Sequence, residues 1–296
     1  MISGYGSPPI DGPPDPEVAY WEVEAADYYR QHAASLGRDR LVWCPEGLEE
    51  ASAGLLGDVR GLKVLEVGCG AAQGARWAAS AGALAVGIDL SAGMLAVGRH
   101  LGTDGFALVQ AEAAALPFAD ASFDLAFSAF GALPFVPSLA AVHREVARVL
   151  RPGGRWVFST THPFAWVFPD SPDPADLRVK RSYFERTAYY ELHDAARLSY
   201  VEYHVTLGDQ VRALIESGFT LDQLIEPQWP DADGATDGPA GPAGAGGAAD
   251  GEWGAWSRAR GALVPSTLVL CASLAGASGT SGANAAGRRR SQPRHA

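Results

Sequence analysis

Between residues 59 and about 158 the chain repeats one pattern, a short β-rich run followed by an alanine-rich run with helical spacing. KVLEVG leads into ARWAASAG and AVGID into MLAVGRHL, after which come ALVQA, DLAFSAF, LAAVHREVARVL and RWVFST. Strand and helix alternating this often require crossover connections, because parallel neighbours cannot be joined by tight hairpins. The expectation is an α/β fold, a mostly parallel sheet with helices on both faces. At 296 residues, 47% of them hydrophobic, the chain has ample material for the core of such a sheet.

Local signals mark the helix ends. Ser91 stands where an N-cap precedes MLAVGRH, Ser138 does so before LAAVHREVARVL, and Pro152-Gly153-Gly154 stops that second helix. Within it Leu139, Val142, Val146 and Val149 recur at three- and four-residue steps and form one apolar face. Arg144, Glu145 and Arg148 then make its wet side, and His143 is expected to be solvated with them.

After residue 158 the texture changes. Residues 162–208 are aromatic and proline-rich, and they read as a cap inserted into the sheet domain. About half of Phe164, Trp166, Phe168, Tyr183, Tyr189 and Tyr190 should line a pocket there. Helical spacing returns in DQVRALIESGF, with Gly218 as its stop, and residues 209–275 add the strand-like TLDQLIEP and STLVLCASL. Between those two strands residues 231–252 are too poor in bulky apolar side chains to pack, so a flexible loop is expected. The ends read as a flexible leader over 1–17 and a disordered basic tail over 276–296, with a helical lid over 18–58 and the cofactor-binding core over 59–161.

Charge narrows the partners. Acids number 34 against 23 lysines and arginines, and four of those arginines fall in residues 287–296, leaving 19 for the rest of the chain. So acidic a body argues against nucleic acid or an anionic membrane as partner, since phosphate contacts need clustered cations. Cysteines at 44, 69 and 271 form no CxxC pair and no even framework, so neither a disulfide nor a metal centre is expected. With no apolar run near the ~20 residues that cross a bilayer and no signal-peptide start, the reading is cytoplasmic.

The chemistry gathers at residues 63–74, KVLEVGCGAAQG. A dinucleotide turn wants GxGxxG, whose glycines let the backbone approach a pyrophosphate. Here Gly68 and Gly70 fit, but Gln73 occupies the third place and the glycine falls at 74. Glu66 ends the strand just before the turn, where it would repel phosphates yet suit a ligand with a cationic portion. Asp89 ends the next strand, 19 residues after Gly70, where a carboxylate can accept both hydrogens of a ribose diol.

Taken in order, E-x-G-x-G, the acid in GIDLS, the acid before LPF in AEAAALPFADASFD, and LRPGG resemble the class I S-adenosylmethionine-dependent methyltransferases, with the type 11 small-molecule group the nearest in look. The resemblance covers about residues 60 to 160. It implies a Rossmann-like seven-stranded sheet ordered 3-2-1-4-5-7-6 with strand seven antiparallel. It also implies a methyl donor, S-adenosyl-L-methionine, leaving as S-adenosyl-L-homocysteine, and a small-molecule methyl acceptor. By the same resemblance Glu66, Gly68 and Gly70 would hold the methionine part and Asp89 the ribose. Leu90 and Met94 would cover one adenine face, Glu112 and Ala113 would meet the adenine edge, and Ser128 would border the methyl group. Tyr28, with Trp43 second, would close over the cofactor.

For a hydroxyl acceptor a general base helps, and His162, just past strand five, is the first candidate, with His204 the weaker rival. The alternative is that His162 caps a turn or lines the pocket without proton transfer. Two other functions stay open at this level: an NAD(P)-dependent oxidoreductase on the same sheet, and a catalytically silent nucleoside-binding protein.

Overall fold

The protein is described from a computed structural model, covering residues 2–5, 21, 22, 25, 29, 30, 37–193, 197–230 and 256–276. Tyr28, the leader over 6–17, the loop over 231–252 and the tail from 277 lie outside the described residues.

Ten strands are present among them. β1 (Ile2–Tyr5), β7 (Tyr189–His193) and β8 (Arg197–Glu202) form a small antiparallel sheet ordered β1-β7-β8. The main sheet holds β2 (Lys63–Val67), β3 (Leu84–Asp89), β4 (Phe106–Gln110), β5 (Phe123–Ser128), β6 (Leu150–Thr161), β9 (Phe219–Ile225) and β10 (Thr267–Leu274). Its order is β4-β3-β2-β5-β6-β10-β9. Every pairing is parallel except those of β10, which runs antiparallel to both neighbours. Counting only main-sheet strands in chain order, this is the 3-2-1-4-5-7-6 arrangement.

The strands form because both of their faces are covered. In β2, Val64 joins one apolar cluster while Leu65 and Val67 join the other, so successive residues serve opposite faces. On one face lie α4 (Leu139–Val149) and α5 (Leu207–Glu216), bringing Val142, Val146, Val149 and Leu214. The other face receives α2 (Gln73–Ser80) and the segment around the short α1 (Glu50–Ala53). The expected caps hold: Ser91 accepts from Met94 N at the head of α3 (Ala92–His100), and Ser138 accepts from Ala141 N.

Three expectations are corrected. Pro152-Gly153-Gly154 does not lie between helix and strand, because α4 ends at Val149 and β6 starts at Leu150. Gly153 (φ +79°) instead lets β6 bulge, and its register with β5 jumps from Phe123↔Leu150 to Leu125↔Arg155. His143 is not solvated. It is fully buried, accepts from Trp156 Nε1 at 3.2 Å, and burial lowers its pKa to about 4. Trp43 does not close over the turn after β2 but is fully buried in the sheet's core, edge-on to Phe127, with its indole N–H on Glu50 Oε2 at 3.0 Å. Separately, β7 and β8 pair as a hairpin that helical spacing could not reveal.

Earlier in the chain, Trp21, Ala25 and Tyr29 recur every fourth residue and pack together against Ala71, Met94, Val97 and Leu101. Glu22 accepts from the first amides of α3, Ala92 N at 2.5 Å and Gly93 N at 2.9 Å, and so pins this segment across the helix N-terminus.

Candidate active site

The turn after β2 is shaped by two glycines with positive φ, Gly68 at +68° and Gly70 at +51°. At Gly68 space is decisive as well, because an added Cβ would stand 2.4 Å from Ala132 N. The segment following β5 therefore lies directly against the turn. Cys69, between the glycines, is buried and its thiol is pushed well up by burial, so it is a filler and no nucleophile.

Asp89 holds this turn. Its Oδ2 accepts from Gly70 N at 2.8 Å and its Oδ1 from Ser91 N at 2.9 Å, so one carboxylate ties the ends of β2 and β3 together. Each oxygen keeps a further lone pair for a ligand. Burial raises the Asp89 pKa.

Glu66 is 4% exposed and turned beneath the start of α2, where Oε2 accepts from Ala75 N at 2.6 Å. Burial, with the charge of Asp89 adding to it, pushes its pKa up to about 8. The displaced glycine follows from this placement. A Cβ at Gly74 would come within 2.3 Å of Glu66 Oε1 and 2.7 Å of the Phe127 ring, so Gly74 lets the helix sit down on the carboxylate. Its role is close packing and not phosphate approach.

Around this centre the other expected residues fall at one end of the sheet. Met94 is buried, its Cε 3.0 Å from where a Gly70 Cβ would stand. Leu90, 39% exposed, follows Asp89, and its carbonyl is held by Gln110 Nε2 at 3.0 Å. Glu112 is exposed and Ala113 buried, both just beyond Gln110, the residue opposite Asp89 in the sheet. The loop they open is braced by Arg148, which donates to the carbonyls of Leu116 and Phe118 and pairs with Glu145 and Asp120. Ser128 ends β5 fully buried, and its Oγ meets no partner. Glu66, Gly70, Asp89 and Met94 are thus brought into one cluster, Ser128 joins it through the 131–132 backbone against Gly68, and Glu112 stands apart at the next strand.

His162 has no lone pair left for a proton. Its Nδ1 accepts from Phe164 N at 3.1 Å, so Nε2 carries the hydrogen that meets Glu226 Oε1 at 2.9 Å. It caps the turn Pro163–Val167, the alternative its sequence position allowed. Sequence reasoning missed Glu226, its partner, which lies 64 residues away. It also missed Gln210, buried on the face of α5 that carries Leu214. The signal was a polar residue four positions before a core leucine. Among the described residues no group of three or more His, Cys, Asp or Glu could hold a metal, and no helix is long and apolar enough to cross a membrane.

Comparisons with known proteins agree with this geometry. A family model described as a methyltransferase domain matches residues 65–158. A demethylmenaquinone methyltransferase of Corynebacterium kroppenstedtii is 42% identical over 95 residues, a match spanning 32% of this chain and only 40% of that relative. One of Mycolicibacterium paratuberculosis is 34% identical over 200 residues, 66% of this chain and 76% of the relative. Among solved structures, an S-adenosylmethionine-dependent methyltransferase from Mesorhizobium loti is 30% identical with a TM-score of 0.59, covering 78% of this chain and 100% of that one. Identity, coverage and strand order converge, and the chain belongs to the S-adenosylmethionine-dependent methyltransferases.

Proposed function

We propose that the chain binds S-adenosylmethionine along the turn from Glu66 to Met94 and passes its methyl group to a small organic acceptor beneath the cap. The observation that carries this is the pair of carboxylates, the buried Glu66 and the half-buried Asp89, on either side of a glycine turn. Two carboxylates whose ionisation burial opposes suit a ligand bearing positive charge and a diol, and repel a pyrophosphate. The unpartnered Ser128 Oγ leaves a further polar atom at the same place. Dinucleotide chemistry is accordingly set aside.

When bound, the sulfonium supplies an already activated methyl group. The protein's part is alignment and exclusion of water. In this reading Asp89 holds the ribose hydroxyls with its remaining lone pairs and the Gly68–Gly70 backbone faces the methionine part. Glu66, held mostly protonated near neutrality by burial in the free chain, ionises as the ligand's positive charge comes to lie above it. Leu90 and Met94 flank the adenine, Glu112 and Ala113 meet its edge, and Ser128 borders the methyl group. The core runs over 59–161 and the acceptor-side cap over 162–208. Three free buried thiols suit a reducing cytoplasm, and the acidic balance favours a small molecule over nucleic acid as partner.

Calorimetry with S-adenosylhomocysteine tests the reading. Saturable binding is expected, and absence of heat at high micromolar ligand would sink it.

A further inference from the structure

The β7–β8 hairpin turns one face toward the end of the main sheet. In its register Tyr189 stands opposite Glu202 and Glu191 opposite Tyr200, and directly opposed residues share a face, so tyrosines and carboxylates alternate there. The contacts show which way this face looks. Tyr200 meets the Phe135 ring edge-on at 5.6 Å, Tyr189 meets Trp166 at 5.9 Å, and Thr161, which ends β6, lies beside Glu202. One short segment joins the face to the cofactor turn: Ala132 lies against Gly68, and Pro134, two residues on, accepts from Tyr203 N at 2.8 Å, next to Glu202.

Glu202 lacks a counter-charge. It is half-buried, so solvent reaches it, yet among the described residues no cation pairs with it. Its Oε2 accepts from the Tyr200 hydroxyl at 3.0 Å, while burial, with the charges of Asp170 and Glu191 adding to it, pushes its pKa up to about 8. A desolvated carboxyl with two like charges near it is stabilised by a cation that comes to rest there. The rings point the same way independently of the acids. The Arg181 guanidinium already stands over the Tyr189 ring, 5.9 Å from its centre, and aromatic faces of this kind hold ammonium groups.

We propose that the methyl acceptor is a cationic amine, that Glu202 pairs with its ammonium group beside Tyr189 and Tyr200, and that the same carboxylate takes the ammonium proton before transfer. The inference rests on the methyltransferase reading. An ammonium nitrogen has no free electron pair and cannot attack until one N–H bond has given up its proton. In surroundings that oppose charge the neutral pair, amine and carboxylic acid, gains on the ion pair. The freed pair on nitrogen then forms the bond to the methyl carbon, and the carbon–sulfur bond breaks with its electrons staying on the sulfur of the methyl sulfonium donor. The product is a methylated ammonium, and Glu202 returns its proton to water. A neutral alcohol can donate to Glu202 but brings no charge to meet it.

The test uses the full chain saturated with S-adenosylhomocysteine, with phenethylamine and its neutral counterpart phenethyl alcohol as probes. Calorimetry should find the amine bound about tenfold more tightly than the alcohol. In buffers of different ionisation heat near neutrality, the amine titration should report a proton released as Glu202 ionises. With labelled methyl donor in place of the product, the label should appear on the amine nitrogen. Glu202→Gln keeps the shape and an acceptor for Tyr200 and removes the charge. It should abolish the proton release, weaken the amine about tenfold, lower kcat about 100-fold and leave the affinity for S-adenosylhomocysteine unchanged. An alcohol bound as tightly as the amine, an amine neither bound nor methylated, or a Gln variant with native amine affinity and proton release would each overturn the inference. The comparison of the two probes needs only the native chain, so a misfolded variant does not blunt it. Failure to bind S-adenosylhomocysteine at all would instead remove the methyltransferase reading, and this inference with it.

Discussion

The two sides of the site treat their buried polar atoms differently. On the cofactor side each carboxylate already has backbone donors, Gly70 and Ser91 for Asp89 and Ala75 for Glu66. Across the sheet end, His204 Nδ1 and Gln210 Oε1 are buried with nothing to accept. A turn held in one fixed geometry is locked by its own amides, whereas bare buried acceptors carry their desolvation cost.

The largest effect should come from attacking the locked side at its tightest point. Gly68→Ala adds a Cβ 2.4 Å from a backbone nitrogen at φ +68°. A loss of about 2–5 kcal/mol in stability is expected, from left-handed strain and overpacking together. Thermal melts check it, and an unchanged Tm would show that the turn is not locked. Next, Asp89→Ala removes an acceptor shared by two amides and the ligand. The affinity for S-adenosylhomocysteine should fall about 100-fold, the equivalent of two charge-assisted hydrogen bonds. Calorimetry decides, and unchanged affinity would refute the ribose assignment.

Glu66→Gln sharpens the comparison through pH. A carboxyl whose folded pKa is raised from 4.5 to about 8 binds its proton more tightly in the folded state. Its ionisation therefore costs nothing below about pH 4.5, costs more through the window between 4.5 and 8, and costs its full amount above 8. Glutamine mimics the neutral acid and still accepts from Ala75 N. Urea unfolding should find the variant equal to the native chain near pH 4 and about 2–5 kcal/mol more stable at pH 8.5. Equal stability at both would mean that Glu66 is not held in a desolvated site. The smallest effect belongs to the bare side. Gln210→Leu removes an unmet buried acceptor and should raise stability by up to about 1 kcal/mol, read by thermal melts. A destabilised variant would show that the carboxamide is satisfied after all.

The fold was legible because its determinants are local and periodic. Strand and helix runs, the Ser91 and Ser138 caps and the glycine turn each declare themselves within a few residues, and the order of the motifs carried the sheet topology with them. Glu66, Gly70 and Asp89 could be grouped because parallel β2 and β3 must deliver their ends side by side. By itself, then, the sequence determined the class of sheet and the pair of carboxylates at its end.

Only the tertiary structure decided what each polar atom does, because hydrogen-bond partners are set by contacts between residues distant in the chain. Trp43 looked like a lid aromatic until Phe127 and Glu50 enclosed it, and His143 looked wet until Trp156 donated to it. The clearest case is the pair of histidines. In a string of letters His162 is the first candidate base and His204 its weaker rival. Glu226 and the Phe164 amide occupy both nitrogens of the first, whereas the Tyr183 carbonyl takes one hydrogen of the second and leaves its other nitrogen bare.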